Sequence, residues 1–461
     1  MNLTEKFVKL LIDGFSHKIT ETEVQVTSDL LLDGLSVAAL GSMEAGPQML
    51  YLMANNIDQS ASATVIMGDR RVTPENAAQV NGAAMHVLDY EPMWNPANHS
   101  LSTTLPALLA LSEMLLRSEI EEFGQSISGD KILKALAIGI ETQARLRSAS
   151  GQYEPGELVF HPPSTVGPLG SAIACGLIMG LSRKQLVNAI GIAGSMAGGL
   201  QGNIGSMTKA LHCGKAAANG IQAALLARQG FTSDSNSIDG PRGYGNAFFG
   251  KKFNQSKLLE PKVDLHVVNP GPAYKLYPSQ YGTHFVIEAA LMVRNKISSS
   301  QEIQNVTIIS PPMPYVDRPL PSSGLAGKFS FQYVAAIALI DGKVSVESFN
   351  DKRRFSKDVE TLLPLIKIRP DPERHGRFDK MKIDIEVELS NGEIYSGTCD
   401  GPPGVWGRPA VPALLENKSR ECLRTAFGEE RGKSIFRSAR KFANFDAKEL
   451  LNFYNLLSSR P

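Results

Sequence analysis

The stretch Ser195–Gly230 combines residue types suited to anion chemistry. Gly198, Gly199, Gly202 and Gly205 open it, Thr208, Lys209 and His212 follow, and small and aliphatic residues complete it. Glycines let a backbone approach a ligand closely, and a helix start behind them presents unpaired N–H groups and the positive end of a dipole. Lys209 adds fixed charge and His212 a titratable group able to meet substrate, so a carboxylate or phosphate is the simplest ligand. The small residues, among them Ala216, Ala217, Ala218, Gly220, Ala223 and Ala224, also describe a closely packed helix with Lys209 and His212 as surface groups. A lone Lys-x-x-His does not decide between the two.

Histidine, aspartate and proline gather on two further loops, LDYEPMWNPANHS (Leu88–Ser100) and FHPPSTVG (Phe160–Gly167). His99 stands just before a helix, and His161 before two prolines that fix the backbone. Histidine is the side chain best matched to proton transfer near neutrality. Either could instead cap or pack, but two such loops beside the Lys209 segment favour chemistry. Asp89 could orient a base or cap a chain reversal. Lys275, Tyr277, Gln280, Tyr281 and His284 crowd around Pro278, and Tyr315 lies in a proline-rich turn. Such tyrosines are packed anchors or, alternatively, donors to a carboxylate.

Helical periodicity must position these groups. It predicts helices over Leu3–Phe15, Glu23–Leu40, Pro74–Leu88, Thr103–Leu116, Asp130–Leu146, Val166–Gly180 and Arg183–Met196. Thr73-Pro74-Glu75 supplies an N-cap followed by proline, and Ser182 to Gln185 has capping-box spacing. Strand signals then appear at Asn305–Ser310 and Ile383–Leu389, with Asn391-Gly392 as a hairpin turn into Glu393–Thr398. Helices are expected at Phe331–Leu339, Val359–Leu365, Val411–Ala426 and Ala447–Leu457. The chain is thus expected to be mainly α with an α+β second domain: a helical body from residues 1–267 and 403–461, and an inserted α+β lid at 268–402. A cleft between body and lid is the default place for a site.

Composition narrows the function. Lys and Arg total 47 against 46 Asp and Glu, for a net charge of +1, and no basic or acidic block points to nucleic acid or a membrane surface. The four cysteines, Cys175, Cys213, Cys399 and Cys422, lack metal-site spacing and suit a reducing, cytoplasmic setting. No G-x-G-x-x-G follows a strand, and neither a P-loop nor a G-x-S-x-G elbow occurs.

Taken together, AAQVNGAAMHVLDY, His99-Ser100, FHPPSTVGPLGSA, GLSRKQLVNAIGIAGSMAGGLQ, TKALHCGKAAANGIQAALLARQGF, KLYP and KFSFQYVAAIALIDG resemble the MmgE/PrpD family over nearly the whole length. That family includes 2-methylcitrate dehydratase, cis-aconitate decarboxylase and iminodisuccinate epimerase. The resemblance implies a homodimer and a site between body and lid that uses neither metal nor cofactor. It places catalytic groups at Asp89, His99, His161 and Lys209, and substrate contacts at Lys275, Gln280 and Tyr315, to which His212 is added from the spacing above. It implies a lyase, dehydratase or decarboxylase, acting on a citrate- or aconitate-like polycarboxylate. An epimerase or isomerase of a related dicarboxylate is the runner-up, and a non-catalytic polycarboxylate binder the third reading. In this scheme Lys209 and Lys275 hold carboxylates, His161 or His99 moves the proton, Asp89 orients its partner and Tyr315 closes the site. Tryptophan, proline and alanine before His99 resemble the cis-aconitate decarboxylases. Glu91-Pro92-Met93 replaces the family's Asp-Asp-Thr, removing a threonine hydroxyl. Gln280 stands where the decarboxylases have a histidine, and the proline usual between His99 and Ser100 is missing.

Overall fold

Capping residues set where the helices begin. The computed structural model describes residues 1–54, 62–118, 127–154, 156, 158–297, 302–406, 408 and 410–458. Its first half contains α1 (Leu3–Ser16), α2 (Glu21–Gly41), α3 (Ala45–Ala54), α4 (Pro74–Val87), α5 (Ser100–Arg117), α6 (Gly129–Ala149), α7 (Pro162–Ile178), α8 (Arg183–Ser195) and α9 (Met207–Arg228). Asn2 with Glu5, Thr20 with Glu23, and Ser182 with Gln185 form reciprocal capping boxes at α1, α2 and α8. Thr73 accepts from the Asn76 N–H ahead of Pro74, as its sequence predicts. Helix α3 and the two-residue strands β1 (Ala63–Thr64) and β2 (Arg71–Val72) were not anticipated.

Small residues let α9 seat deeply on α4 and α7. A Cβ on Gly214 would lie 2.0 Å from the Gln79 carbonyl oxygen of α4, and one on Gly220 would lie 2.3 Å from the Ser171 Cβ of α7. The neighbours are backbone or short side chains that cannot swing away. The packing reading of this helix therefore holds, and Lys209 and His212 are nevertheless buried. Gly214→Ala should cost at least about 1–3 kcal/mol by overpacking, read as a lower urea midpoint; an unchanged midpoint would contradict this packing.

Helix α2 has the length and apolarity of a membrane span, but 72% of its apolar window is buried inside the protein. Leu30, Leu31, Leu35 and Val37 lie in the interior.

The later part carries a four-stranded mixed sheet of order β4-β3-β5-β6, built from β3 (Ile303–Ser310), β4 (Ile366–Pro370), β5 (Ile383–Leu389) and β6 (Ile394–Cys399). β3 pairs parallel with β4 and antiparallel with β5, and β5 turns into β6. Gly392 takes φ +84° in that turn, a conformation only glycine adopts freely. Alternation along β5 buries Ile383, Ile385, Val387 and Leu389. Helix α10 (Tyr281–Arg294) packs on β5, β6 and α11 (Phe331–Asp341).

The chain then returns to the first helices. Helix α12 (Pro412–Phe427) packs on α2 and on α13 (Glu429–Ala439), and α14 (Ala447–Leu457) packs on α5. The expected helix at Val359–Leu365 is a short α-helix, Lys357–Leu362, that tightens into a 3-10 turn at Leu363–Leu365.

Candidate active site

The site forms where the end of α4 meets the starts of α5, α7, α9 and α10. Helix α4 ends at Val87, and the chain reverses at Asp89, whose φ is +51°. Its carboxylate takes one ammonium on each oxygen: Lys209, from the first turn of α9, donates to Oδ2 at 2.9 Å, and Lys275 to Oδ1. Lys275 also donates to the Asp89 carbonyl at 2.9 Å. Lys209 Nζ lies a further 2.9 Å from His86 Nε2.

This last contact fixes a tautomer. An ammonium only donates, so His86 Nε2 accepts and Nδ1 carries the proton. Nδ1 faces Glu91 Oε1, which also accepts from Ser102 Oγ at 3.1 Å. His99 Nδ1 stands 3.1 Å from the same oxygen, and its Nε2 lies 3.9 Å from Asp89 Oδ1. The chain Glu91–His86–Lys209–Asp89 is thus one buried polar network.

His161 precedes α7 and is fixed by its own backbone. Its N–H donates to the Gly199 carbonyl at 2.9 Å, while the Gly198 N–H donates to Ser164 at 3.0 Å, tying the glycine-rich loop to this turn. The Nδ1 atoms of His161 and His212 are 3.3 Å apart. The rings of His86, His99 and His161 lie within 6.3 Å of each other, centroid to centroid.

Charge distribution follows from burial. Burial pushes the His86 pKa down to about 4, against the opposing pull of Glu91. It lowers His99, with Glu91 again opposing, and lowers His161 well below the ordinary value, with Lys209 adding to the effect. These imidazoles are neutral at pH 7. Burial raises the Asp89 pKa, but Lys209 and Lys275 outweigh it and hold the carboxylate well below its usual range. Glu91 is likewise held low, its burial outweighed by the hydrogen bonds that the His86 and His99 rings donate to it.

These shifts carry a stability consequence. A histidine whose folded pKa is depressed stabilises the fold above its unfolded pKa near 6.5, and loses that contribution as pH falls toward the folded value. For His86 the span from 6.5 to about 4 is worth on the order of 3 kcal/mol. His266, also pushed to about 4 by burial, acts in the same direction. The unfolding free energy should therefore drop steeply between pH 6.5 and 4, and a flat profile across that window would contradict neutral buried histidines.

Asp89, His99, His161, Lys209, Gln280 and Tyr315 line one cavity of about 80 Å³, with Met93, Ala97, Phe329 and Phe378 as its apolar wall. Two expected substrate contacts do not reach it. Lys275 is fully buried behind Asp89, and His212 sits behind His161. Gln280 is engaged at both ends: Oε1 accepts from the Thr283 N–H of α10, and Nε2 donates to the Tyr315 hydroxyl at 3.0 Å. It therefore aims Tyr315, whose phenolic proton is left for the cavity, and burial holds that phenol protonated. His284 does not take the vacant histidine role. It is enclosed by Tyr277 and Tyr281, and burial pushes its pKa down to about 3.

Two residues of the network, His86 and Glu91, were not among the sequence candidates. His86 falls three residues before Asp89 inside an alanine-rich helix, which reads as core. Among the described residues His86, Glu91 and His99 also have potential metal-ligand atoms within 4.8 Å of one another. A metal on His86 Nδ1 would move the proton to Nε2, directly against the Lys209 ammonium.

The cavity thus brings together a lysine–carboxylate pair, neutral imidazoles and a protonated phenol. Residues 12–256 match the MmgE/PrpD N-terminal domain and residues 277–441 the MmgE/PrpD C-terminal domain. The chain is 33% identical to the cis-aconitate decarboxylase of Mus musculus over 433 residues, covering 91% of this chain and 86% of that protein. To the human cis-aconitate decarboxylase it is 32% identical, covering 91% and 87%. The 2-methylcitrate dehydratase of Escherichia coli is 22% identical over 66% of this chain and 64% of its own length. The chain belongs to the MmgE/PrpD family, and it is a lyase of that type.

Proposed function

We propose that this lyase acts on an aconitate-like tricarboxylate, with decarboxylation of cis-aconitate as its reaction. The observation that carries the reading is the cavity itself: Lys209 and the neutral His99 and His161 face it together with the Tyr315 phenol. In such a decarboxylation the bond to the departing carboxylate breaks, carbon dioxide leaves, and the electron pair passes into an enolate conjugated with a remaining carboxylate. The Lys209 ammonium, already oriented by Asp89, stabilises that charge in a dry site. A proton must then reach carbon, and Tyr315 is the protonated donor at the cavity wall. The 33% and 32% identities to cis-aconitate decarboxylases, against 22% to a 2-methylcitrate dehydratase, support this choice.

Dehydration is the second reading, favoured by one observation. Burial keeps His99 and His161 unprotonated, and an unprotonated imidazole is a base that can begin water loss by removing a proton next to a carboxylate. An epimerase would use the same step without losing a group.

We further propose that the chemistry runs without metal and that the chain works as a homodimer in a reducing compartment, to which its four buried free cysteines are suited. Incubation with cis-aconitate, citrate and 2-methylcitrate, with and without a chelator, tests the reading. Loss of cis-aconitate at a chelator-insensitive rate supports it; turnover of 2-methylcitrate alone, or activity abolished by chelation, overturns it.

A further inference from the structure

Three consecutive residues at the centre of the site, Leu88, Asp89 and Tyr90, hand their carbonyl oxygens to three different buried lysines. Lys275 takes the Asp89 carbonyl at 2.9 Å. Lys328, from the segment just before α11, donates to the Leu88 carbonyl at 2.9 Å and to that of Pro278 at 3.0 Å. Lys418, from α12, donates to the Tyr90 carbonyl at 2.7 Å and to that of Lys275 at 3.0 Å. Neither Lys328 nor Lys418 lines the cavity.

The tripeptide needs such a grip. Asp89 sits at φ +51°, a region that a side chain with a Cβ enters only when its surroundings impose it. The turn makes few backbone bonds of its own: the Asp89 N–H donates to His86 at 2.9 Å, and the buried carbonyls require donors. Both ammonium groups are themselves held. Lys418 pairs with Asp33 of α2 at 2.8 Å and lies 4.0 Å from the Tyr90 ring centre, and Lys328 lies 4.9 Å from that of Phe349. Each lysine also ties the Asp89 turn to the Lys275–Gln280 loop, through Pro278 or Lys275. Together they set the distance between the Asp89 carboxylate and the Lys275 ammonium.

We propose that Lys328 and Lys418 are positioning residues that clamp the left-handed Asp89 turn from both sides and so aim its carboxylate at Lys209 and Lys275. The inference rests on Lys209, oriented by Asp89, being the group that acts on substrate in the proposed lyase. Its test therefore has one arm that needs no turnover.

The variants are Lys328→Met, which keeps the stem and removes the donors, and Lys418→Met combined with Asp33→Leu. The second pairing avoids leaving a buried carboxylate alone, the usual reason such a variant fails to fold. In the substrate-free protein at fixed pH, the ring 1H–13C signals of His86 and His99 report the Lys209–His86 and Glu91 contacts, and His266 serves as a remote control. The clamp predicts that the His86 and His99 signals move in either folded variant while His266 stays. With cis-aconitate it predicts that kcat falls on the order of 10- to 100-fold, as a misplacement near 1 Å can cause, with KM little changed. Lysines that merely fill buried hydrogen-bonding positions would lower the melting temperature and leave both readouts at wild type, which overturns the proposal, as would a shift without loss of kcat in an active enzyme. If the wild-type protein leaves cis-aconitate untouched, the proposed substrate is wrong, and the histidine signals alone decide the clamp. If Lys328→Met does not fold, the double variant decides it.

Discussion

Lys209→Met should lower kcat by on the order of 10²–10³-fold while leaving the protein folded. The ammonium is the one positive group among the described residues that both lines the cavity and is tied to the buried network, through Asp89 at 2.9 Å and His86 at 2.9 Å. It also lies 5.2 Å from the Phe329 ring centre, so one side of it is dry. Removing it takes away the charge that meets the developing enolate, an interaction strongest in the transition state, and so kcat suffers more than KM. The fold survives because Asp89 keeps Lys275, and the packing of α9 depends on Gly214 and Gly220. Steady-state kinetics with a circular-dichroism melt checks both halves. A wild-type kcat would remove Lys209 from the mechanism.

Asp89→Asn should do the opposite to stability. The change keeps the shape and tolerates the left-handed backbone, but it leaves the buried Lys209 and Lys275 ammoniums without their anion. Breaking a buried ion pair from one side costs about 3–5 kcal/mol. That would be visible as a large drop in the urea midpoint together with loss of activity, since Lys209 is then free to turn away from the cavity. Asparagine that left both stability and rate untouched would show that Asp89 is a turn residue and nothing more. The two substitutions thus separate the charge that acts on substrate from the charge that organises it.

The helical body was legible because its signals are local. The capping box at Ser182 and the proline after Thr73 fix helix starts with side chains a few residues apart. Strand β4 was not read, since Ile366–Pro370 is short, charged and ends in proline, and only its parallel pairing with β3 makes it a strand. Of the cavity's polar lining, Asp89, His99, His161, Lys209, Gln280 and Tyr315 were named from sequence because they stand on loops or helix ends, where such a residue is conspicuous, while Asn98 and Gln201 were not. His86 and Glu91 were not, for opposite reasons. His86 is camouflaged by the alanines of α4, and Glu91 stood out as a departure from the family pattern although it is fully buried on His86 and Ser102. Lys275 was expected at substrate from the family resemblance and His212 from its spacing, whereas Lys275 lies behind Asp89 and His212 behind His161, outside the cavity lining. Spacing does not reveal depth.

The proposed role of this cavity is to deliver a proton to carbon as a group departs. It is tested most directly by incubating the protein with cis-aconitate in deuterated buffer and following substrate and product by NMR. Net consumption, release of carbon dioxide, and one solvent deuterium on carbon in the product are expected. Deuterium appearing next to a carboxylate in unconsumed substrate, or scrambling of stereoisomers without loss of a group, would contradict it and make the site that of an epimerase.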